Sequence, residues 1–307
     1  MTHTSKTLTF FGSGPVAAKS LEFLAAHFDI EAVVTKEVPA HHKEPAPVEE
    51  LAKILGLPLS FASTGEALDA LIKNHAFHSQ LGIVIDYGVI MSELVIQSFP
   101  LGIINSHFSL LPKWRGADPI TFSILSGQPK TGVSLMLIEP TLDTGRLIAQ
   151  KSLTIDSNET TPSLTDRLIS LSNSMLKEYI PGYVAGEIKA RKQPHPDRAT
   201  YSRKLTKTDG IIDWHKPAII IEREIRAYKG WPQSRTTLGS VEAIITQSHV
   251  ISTGSDMPGM MTISPDSTLL TVSTTEGTLS VDMIKPAGKK EMPIEAFLRG
   301  YTSQLNY

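Results

Sequence analysis

Short apolar runs alternate with amphipathic helical patterns along the first half of the chain. The apolar runs lack strict polar alternation, which is typical of strands in a sheet that is covered on both faces. Because helical patterns separate these runs, we predict βαβ units and a doubly wound, mostly parallel α/β sheet. The predicted strands are 8–11, 32–35, 81–85, 102–105 and 133–138; the predicted helices are 16–28, 48–55, 120–125 and 161–182.

The pattern changes after residue 190. Residues 191–198 combine prolines with charges and have no hydrophobic period, which indicates an exposed linker. A helical pattern over 216–228 is followed by short runs rich in Thr, Val and Ile, which predict a small β-barrel or sandwich. We therefore expect one domain over 1–189, a linker over 190–203 and a second domain over 204–307.

Composition limits the class of protein. With 307 residues, 41% hydrophobic and 20% charged, the chain is long enough for about two globular domains. The absence of cysteine excludes disulfides, cysteine nucleophiles and thiolate metal sites. We find no signal-peptide pattern or long apolar span and expect a cytoplasmic protein without a membrane contact. A net charge of −2 gives no sign of a strongly basic nucleic-acid binder, although a local basic face is compatible with it.

The strongest candidate chemistry lies on the strand that begins near Gly102. Side chains alternate between the faces of a strand, so Asn105 and His107 share one face and Ser106 lies on the other. A carboxamide donates hydrogen bonds without charge, and an imidazole exchanges protons near neutral pH. This pair suits transfer of an acyl-like carbon, in which an oxyanion forms and a proton moves. The alternative is a polar strand end with a solvated histidine.

The residues that follow carry a family resemblance. Asn105-Ser106-His107, Ser109-Leu110-Leu111-Pro112 and Trp114-Arg115-Gly116-Ala117 with Pro119 resemble the signature of the folate-dependent formyltransferases. The resemblance implies formyl transfer from 10-formyltetrahydrofolate, as a cosubstrate, to an amine, with no tightly bound cofactor. Leu142-Asp143-Thr144-Gly145 is similar to the family's loop with a catalytic aspartate; alone, Asp-Thr-Gly is usually a turn or an N-cap. The implied catalytic residues are Asn105, His107 and Asp143.

The resemblance also implies a folate site. Tyr87-Gly88 is similar to the family's Ala-Tyr-Gly segment, whose backbone binds the pterin; the alternative is an ordinary strand exit. Asp86 departs from the family at the position of a small apolar residue, so a carboxylate either meets the pterin or points outward. The expected folate-binding residues are Tyr87, Gly88, Ser109, Leu110, Leu111 and Pro112.

The glycine loop that ends the first predicted strand supports a rival function. Gly12-Ser13-Gly14-Pro15-Val16-Ala17 matches a dinucleotide-binding pattern, and Glu37 follows about twenty residues later. An NAD-dependent oxidoreductase is therefore one alternative. A tight strand-to-helix turn that needs small residues for close packing is the second, and a helix N-terminus that binds some other anion is the third.

The sequence of the second domain indicates which of the family's acceptor amines this chain formylates. Segments 199–205, 211–214, 225–228 with Trp231-Pro232, and 285–290 resemble the members that formylate aminoacylated initiator tRNA. The resemblance implies an OB-like barrel and a tRNA partner, with a nucleotide-linked amino sugar as the alternative acceptor. The candidate phosphate contacts are Arg115, Lys204, Lys289 and Lys290, although a charge of this kind is more often simply a solvated surface charge.

The loop over 36–47 is shorter and less basic than in the family, which weakens its expected grip on tRNA; His41, His42 and Lys43 are its candidate remnant. We expect no metal, because His41-His42 and the pair His75 and His78 lack acidic or cysteine partners. We also expect a monomer.

Overall fold

The chain separates into two compact units in a computed structural model that describes residues 7–38, 46–74, 77–252 and 257–305. The first unit comprises Met1–Pro119, Lys130–Thr154 and Thr165–Ser202. The second comprises Ile120–Pro129, Ile155–Leu164 and Arg203–Tyr307.

A seven-stranded sheet forms the centre of the first unit. Its strands are β1 (Thr7–Phe11), β2 (Asp29–Thr35), β3 (Leu59–Phe61), β4 (Leu81–Val84), β5 (Ile103–His107), β7 (Lys130–Leu137) and β8 (Leu147–Thr154). The order is β3-β2-β1-β4-β5-β7-β8, with the first five strands parallel and the last two antiparallel. A separate pair joins β6 (Arg115–Gly116) to β9 (Tyr201–Ser202).

Helices connect these strands in the predicted alternation. They are α1 (Pro15–Ala25), α2 (Pro47–Ile54), α3 (Gly65–Asn74), α4 (Glu93–Gln97), α5 (Pro119–Leu125) and α6 (Thr161–Val184). Proline opens both α1 and α2, where its fixed φ suits the first helical turn and its missing N–H leaves no bond unmade. All four residues of β4 and the last four of β1 are buried, as expected for a sheet covered on both faces. The doubly wound, mostly parallel fold is confirmed.

The segment over 190–203 is hydrogen-bonded to the first unit. Arg191 and Leu147 exchange backbone hydrogen bonds of 2.8 and 2.7 Å, and β9 pairs with β6. Residues 191–198 are exposed except for Gln193, which is buried. The expected linker is therefore polar and largely exposed, yet it is tied to the first unit at two places.

The second unit contains the predicted small β domain. It comprises α7 (Ala218–Ala227), β10 (Ser234–Leu238), β11 (Val241–Ser252), β12 (Met261–Ile263), β13 (Leu270–Ser273), β14 (Thr278–Pro286), β15 (Met292–Pro293) and α8 (Ile294–Tyr301). The strands pair antiparallel in the order β10-β11-β14-β13-β12, with β15 beside β14. Three register shifts along β11 and β14 bend the sheet. This curled antiparallel sheet agrees with the OB-like expectation.

An ion pair between Arg203 and Asp209 lies at the start of Arg203–Tyr307, the longest segment of the second unit. Arg203 donates hydrogen bonds to both carboxylate oxygens of Asp209, and the Thr206 N–H donates to the same carboxylate at 2.7 Å. The Arg203 hydrogen bonds, followed by those from Thr206, hold the pKa of Asp209 well below its usual range. The Thr206 and Asp209 side chains thereby form a capping box.

We expect Asp209→Ala to lower the free energy of unfolding by about 1–2 kcal/mol at pH 7, because it removes a cap and a charged hydrogen bond. The folded-state pKa is lowered, so this stabilisation is complete above the unfolded pKa of about 3.9 and is lost as the pH falls below it. Urea unfolding of Asp209→Ala and wild type at pH 7 and pH 3 measures the difference. Glu242→Ala, at an exposed position in the same unit, is the control. A loss that is equal at both pH values would contradict this role of the carboxylate.

Candidate active site

His107 ends β5 and lies beside Asp143. Its Nδ1 atom is 3.9 Å from the Asp143 carboxylate, and the two side chains are only 6% and 9% exposed. The His107 Nε2 atom lies 2.9 Å from the carbonyl oxygen of Trp114. Because a carbonyl oxygen only accepts, Nε2 carries a hydrogen and Nδ1 is the nitrogen that faces the carboxylate. The histidine is thus oriented from both sides.

Asn105 lies two residues earlier on the same strand. The alternation of β5 places its half-buried side chain on the face of His107, and within the described residues the carboxamide has no hydrogen-bond partner. Ser106 points to the other face, where its buried hydroxyl lies 2.6 Å from that of Ser172. The structure therefore brings His107 and Asp143 together and leaves the carboxamide of Asn105 free for a ligand.

Backbone geometry holds Asp143 in place. Its φ of 51° lies in the left-handed region, which aspartate tolerates better than most residues and which is frequent at functional sites. The Gly116 N–H donates a 2.6 Å hydrogen bond to the Asp143 carboxylate. Gly145 packs against the carbonyl of Leu137, and a Cβ atom there would overlap that oxygen. The loop after β7 therefore has little freedom to move the carboxylate.

Gln193 completes the support, and the sequence analysis missed it. Its side-chain amide donates to the carbonyls of Asp143 at 2.7 Å and Gly145 at 3.0 Å, while its carbonyl accepts from Arg115 at 2.8 Å. Nothing in the proline-rich segment around Gln193 signals this role. Arg115 is buried with its guanidinium turned inward, contrary to the expected phosphate contact, which needs an exposed cation.

The candidate folate residues follow β4 and β5, which are parallel neighbours, so both segments leave the same edge of the sheet. Tyr87 is buried, its hydroxyl donates to the Ala62 carbonyl at 2.6 Å, and burial raises its pKa. Gly88 is exposed with a φ of 67°. Only backbone and aliphatic groups of this segment are therefore available to a ligand.

Ser134 and Gln150 fix the second candidate segment. The Leu111 N–H donates to the Ser134 hydroxyl at 3.1 Å, and that hydroxyl donates to the Ser109 carbonyl at 2.6 Å. The Gln150 side chain donates to the Leu111 carbonyl at 3.0 Å. The side chains of Ser109, Leu111 and Pro112 are buried, and the side chain of Leu110 is half-buried.

The glycine loop is explained by packing. A Cβ atom on Gly12 would lie 2.6 Å from the Ala17 Cβ and 2.8 Å from the Ile85 carbonyl. Gly14, the N-cap of α1, lies against the Asp86 carboxylate. This carboxylate puts negative charge where a dinucleotide would place its pyrophosphate, so the loop does not suit NAD. Crowding by protein atoms raises the pKa of Asp86, and the positive charge of Lys36 opposes that shift.

Lys204, Lys289 and Lys290 are exposed in the second unit. Among the described residues, no group of three or more His, Cys, Asp or Glu is placed to hold a metal. The described part of the chain also has no helix that is long and apolar enough to cross a membrane. His41, His42, Lys43 and His75 lie outside the described residues.

Comparison with solved structures supports the fold. An N-formyltransferase from Helicobacter canadensis, in complex with folinic acid and dTDP-3-aminofucose, superposes with a TM-score of 0.67 at 18% identity over 94% of this chain and 100% of that one. Glycinamide ribonucleotide transformylase 1 from Symbiobacterium toebii gives a TM-score of 0.55 at 17% identity over 63% of this chain and 96% of that one.

Sequence comparison establishes the family. A methionyl-tRNA formyltransferase of Roseiflexus castenholzii is 35% identical over 302 residues, which are 96% of each chain. One from Chloroflexus aggregans is 36% identical over 299 residues, 95% of this chain and 96% of the relative. The formyl transferase model matches residues 20–180, and the model of the formyl transferase C-terminal domain matches residues 204–302. The chain therefore belongs to the formyltransferase family.

Proposed function

We propose that this enzyme transfers the formyl group of 10-formyltetrahydrofolate to the amino group of methionyl-tRNA. The pairing of His107 with Asp143, on the strand face that carries Asn105, is the observation that supports it most directly. Relatives that are 35–36% identical over nearly the whole chain are named methionyl-tRNA formyltransferases, which supports the acceptor. We further propose that the enzyme is a cytoplasmic monomer.

In this mechanism Asn105 stabilises the developing charge. The amine nitrogen attacks the formyl carbon, the carbonyl π electrons move to oxygen, and a tetrahedral intermediate forms. The carboxamide N–H of Asn105, which has no partner among the described residues, donates to that oxyanion. Because a carboxamide carries no net charge, it can be positioned there without a counterion.

His107 and Asp143 manage the protons. The attacking nitrogen loses a proton to the Asp143 carboxylate, directly or through one water, and the folate N10 gains a proton as its bond to carbon breaks. His107 supplies or relays that proton, since imidazole exchanges protons at neutral pH. The hydrogen bonds to Trp114 O and from Gly116 N keep the two groups facing each other while the charges change.

We propose that the folate cosubstrate binds beside the segments that follow β4 and β5. The backbone of Tyr87-Gly88 offers polar groups at this sheet edge. The segment from Ser109 to Pro112, whose carbonyls already accept hydrogen bonds, offers the half-buried side chain of Leu110 for apolar contact. A structural neighbour, a sugar 3-N-formyltransferase, was solved in the presence of 5-N-formyl-THF, which supports a folate in this fold.

We propose that residues 204–307 bind the tRNA, with Lys204, Lys289 and Lys290 as phosphate contacts. All three side chains are exposed cations. The amino-sugar formyltransferases are neighbours in fold alone, at 18–19% identity, so they favour this acceptor less than the full-length relatives favour methionyl-tRNA.

An assay with 10-formyltetrahydrofolate labelled in the formyl group tests the function. We offer charged initiator methionyl-tRNA, a nucleotide-linked amino sugar or water in parallel and follow the label. Label should reach only the methionyl group, and its rate should fall steeply with salt because tRNA binding releases counterions. Label in the sugar, or free formate alone, would refute the proposed acceptor.

The catalytic assignments predict the size of each loss. Relative to wild type, kcat should fall about 10²–10³-fold in Asn105→Ala through the lost oxyanion donor. It should fall about 10²–10⁴-fold in His107→Ala through the lost proton transfer. Asp143→Asn, which keeps the shape but removes the charge, should also lose at least tenfold.

Ser106→Ala is the matched control, because Ser106 lies between the two catalytic residues of β5 but faces Ser172. Its kcat should remain within about threefold of wild type, since its hydrogen bond is structural. Thermal unfolding confirms that each variant is folded. Wild-type kcat in any catalytic variant would remove that residue from the mechanism.

The support by Gln193 predicts an effect on kcat from outside the reacting groups. Gln193→Leu removes the two donor bonds to the carbonyls of the Asp143 loop. We expect kcat to fall about tenfold, because a misplaced carboxylate should cost about 1.4 kcal/mol of transition-state stabilisation. The KM for folate should change little. Lys192→Ala, at the exposed neighbouring position, should keep wild-type kcat. A rise in KM with unchanged kcat would instead indicate a role in binding.

A further inference from the structure

The carboxylate of Asp86 has no role in the mechanism, although it follows the strand beside β5. In the sheet β4 lies between β1 and β5, and Val84 is paired with both Phe11 and Asn105. Two residues beyond this register come Asp86 on the β4 side and His107 on β5, and adjacent strands are about 4.8 Å apart. The strand order also reverses between β1 and β4, and open α/β sheets bind ligands in the crevice at such a reversal.

Asp86 is exposed, yet its carboxylate has no partner in the described part of the chain, where it accepts no hydrogen bond and forms no ion pair. The ammonium group of Lys36 lies instead over Gly88, 3.2 Å from the position that a Cβ atom would take there. Crowding by protein atoms raises the pKa of Asp86 although the residue is open to solvent, and the positive charge of Lys36 opposes that shift. Solvent access combined with crowding is typical of a group on the wall of a cleft.

The backbone around Asp86 holds this carboxylate in place. Asp86 has a φ of 46°, in the left-handed region, and its carbonyl accepts a 3.1 Å hydrogen bond from the Ser13 N–H. Gly14 has a φ of −81°, which any residue can adopt, but a Cβ atom there would overlap the carboxylate. The glycine is therefore needed for the room it leaves. Strained residues whose charged groups lack partners are frequent at functional sites.

The direction of the carboxylate favours one of the two substrates. The proposed folate site lies beside the segments that follow β4 and β5, whereas the carboxylate is turned toward Gly14, on the β1 side of β4. With folate on the β5 side, the β1 side is left for the acceptor. The acceptor is an amine, which is largely protonated at neutral pH because α-amino groups have a pKa of about 8. A carboxylate binds an ammonium group through a strong, charge-assisted hydrogen bond.

We propose that Asp86 binds the ammonium form of the acceptor amine and places its nitrogen beside the catalytic residues of β5. The identity of the acceptor rests on the proposed function, whereas the contact rests only on amine chemistry. The ammonium group releases one proton to water before it attacks, and the neutral amine keeps a hydrogen bond to Asp86. The later proton transfers remain with Asp143 and His107. No bond to carbon forms or breaks at Asp86, which is therefore an acceptor-binding residue.

Equilibrium binding of methionyl-tRNA and of a tRNA that carries the α-hydroxy analogue of methionine tests this contact. The two ligands differ only in the ammonium group, and neither reacts without folate. At pH 6.5 wild type should bind methionyl-tRNA about tenfold tighter than the analogue, and Asp86→Asn should bind both within about twofold. The same preference in both proteins would overturn the proposal. If neither tRNA binds, the proposed acceptor is wrong, and a nucleotide-linked amino sugar and its hydroxyl counterpart replace the tRNAs with the same expectation.

Gly14→Ala tests the position of the carboxylate without changing its charge. The backbone at Gly14 suits alanine, but the new Cβ atom displaces Asp86, so the preference for the amine should fall about fivefold. Glu22→Gln, at an exposed position of the same helix α1, is the control and should keep the wild-type preference. A wild-type preference in Gly14→Ala would contradict the contact.

Binding of 5-formyltetrahydrofolate separates this role from a contact with the pterin. It should stay within about twofold of wild type in all three variants, because the carboxylate lies on the other side of β4 from the proposed folate site. Retained folate binding also shows that each variant is folded. Folate binding that is about tenfold weaker in Asp86→Asn alone would assign the carboxylate to the pterin and overturn the proposal.

Discussion

The site depends on one local constraint, which is the left-handed conformation of Asp143. A left-handed aspartate is stable only where the surrounding structure compensates for the backbone strain. Here the Gly116 N–H binds the carboxylate, Gln193 binds two carbonyls of the loop, and Gly145 permits close approach to Leu137. These contacts come from separate parts of the chain, so the geometry of the proposed catalytic site follows from tertiary packing as much as from the local sequence.

The sequence predicted the parts of this arrangement that repeat or alternate. Buried parallel strands are nearly continuous apolar runs, and the period of two along β5 placed Asn105 and His107 on one face. Several elements went unpredicted, among them the strands β3 and β8 and the helices α3, α4 and α8. Three residues of strand, as in β3, and one or two turns of helix, as in α4 and α8, give little periodic signal. The hydrophobic pattern also could not predict that β7 and β8 pair antiparallel, because it indicates burial and not strand direction.

Gln193 and Arg115 show why the rest of the site could not be read from the sequence. A glutamine in a polar, proline-rich segment has the composition of a linker, yet Gln193 is buried with hydrogen bonds to Arg115 and to the Asp143 loop, which are distant in the sequence. Arg115 was expected to contact phosphate, which needs an exposed cation. Its guanidinium instead donates a hydrogen bond to the Gln193 side chain. Long-range hydrogen bonds between polar side chains leave no periodic trace in a sequence.

Asp86 shows how one substitution changes the chemistry of a familiar loop. The N-terminus of α1, preceded by two glycines, would attract a phosphate through its free N–H groups. In this chain the Asp86 carboxylate lies against Gly14, so the protein supplies its own anion to that helix end. Crowding by protein atoms raises the pKa of Asp86, and the positive charge of Lys36 opposes that shift. Helix-end chemistry in this fold therefore depends on the residue that follows β4, and a glycine pattern alone cannot specify the ligand.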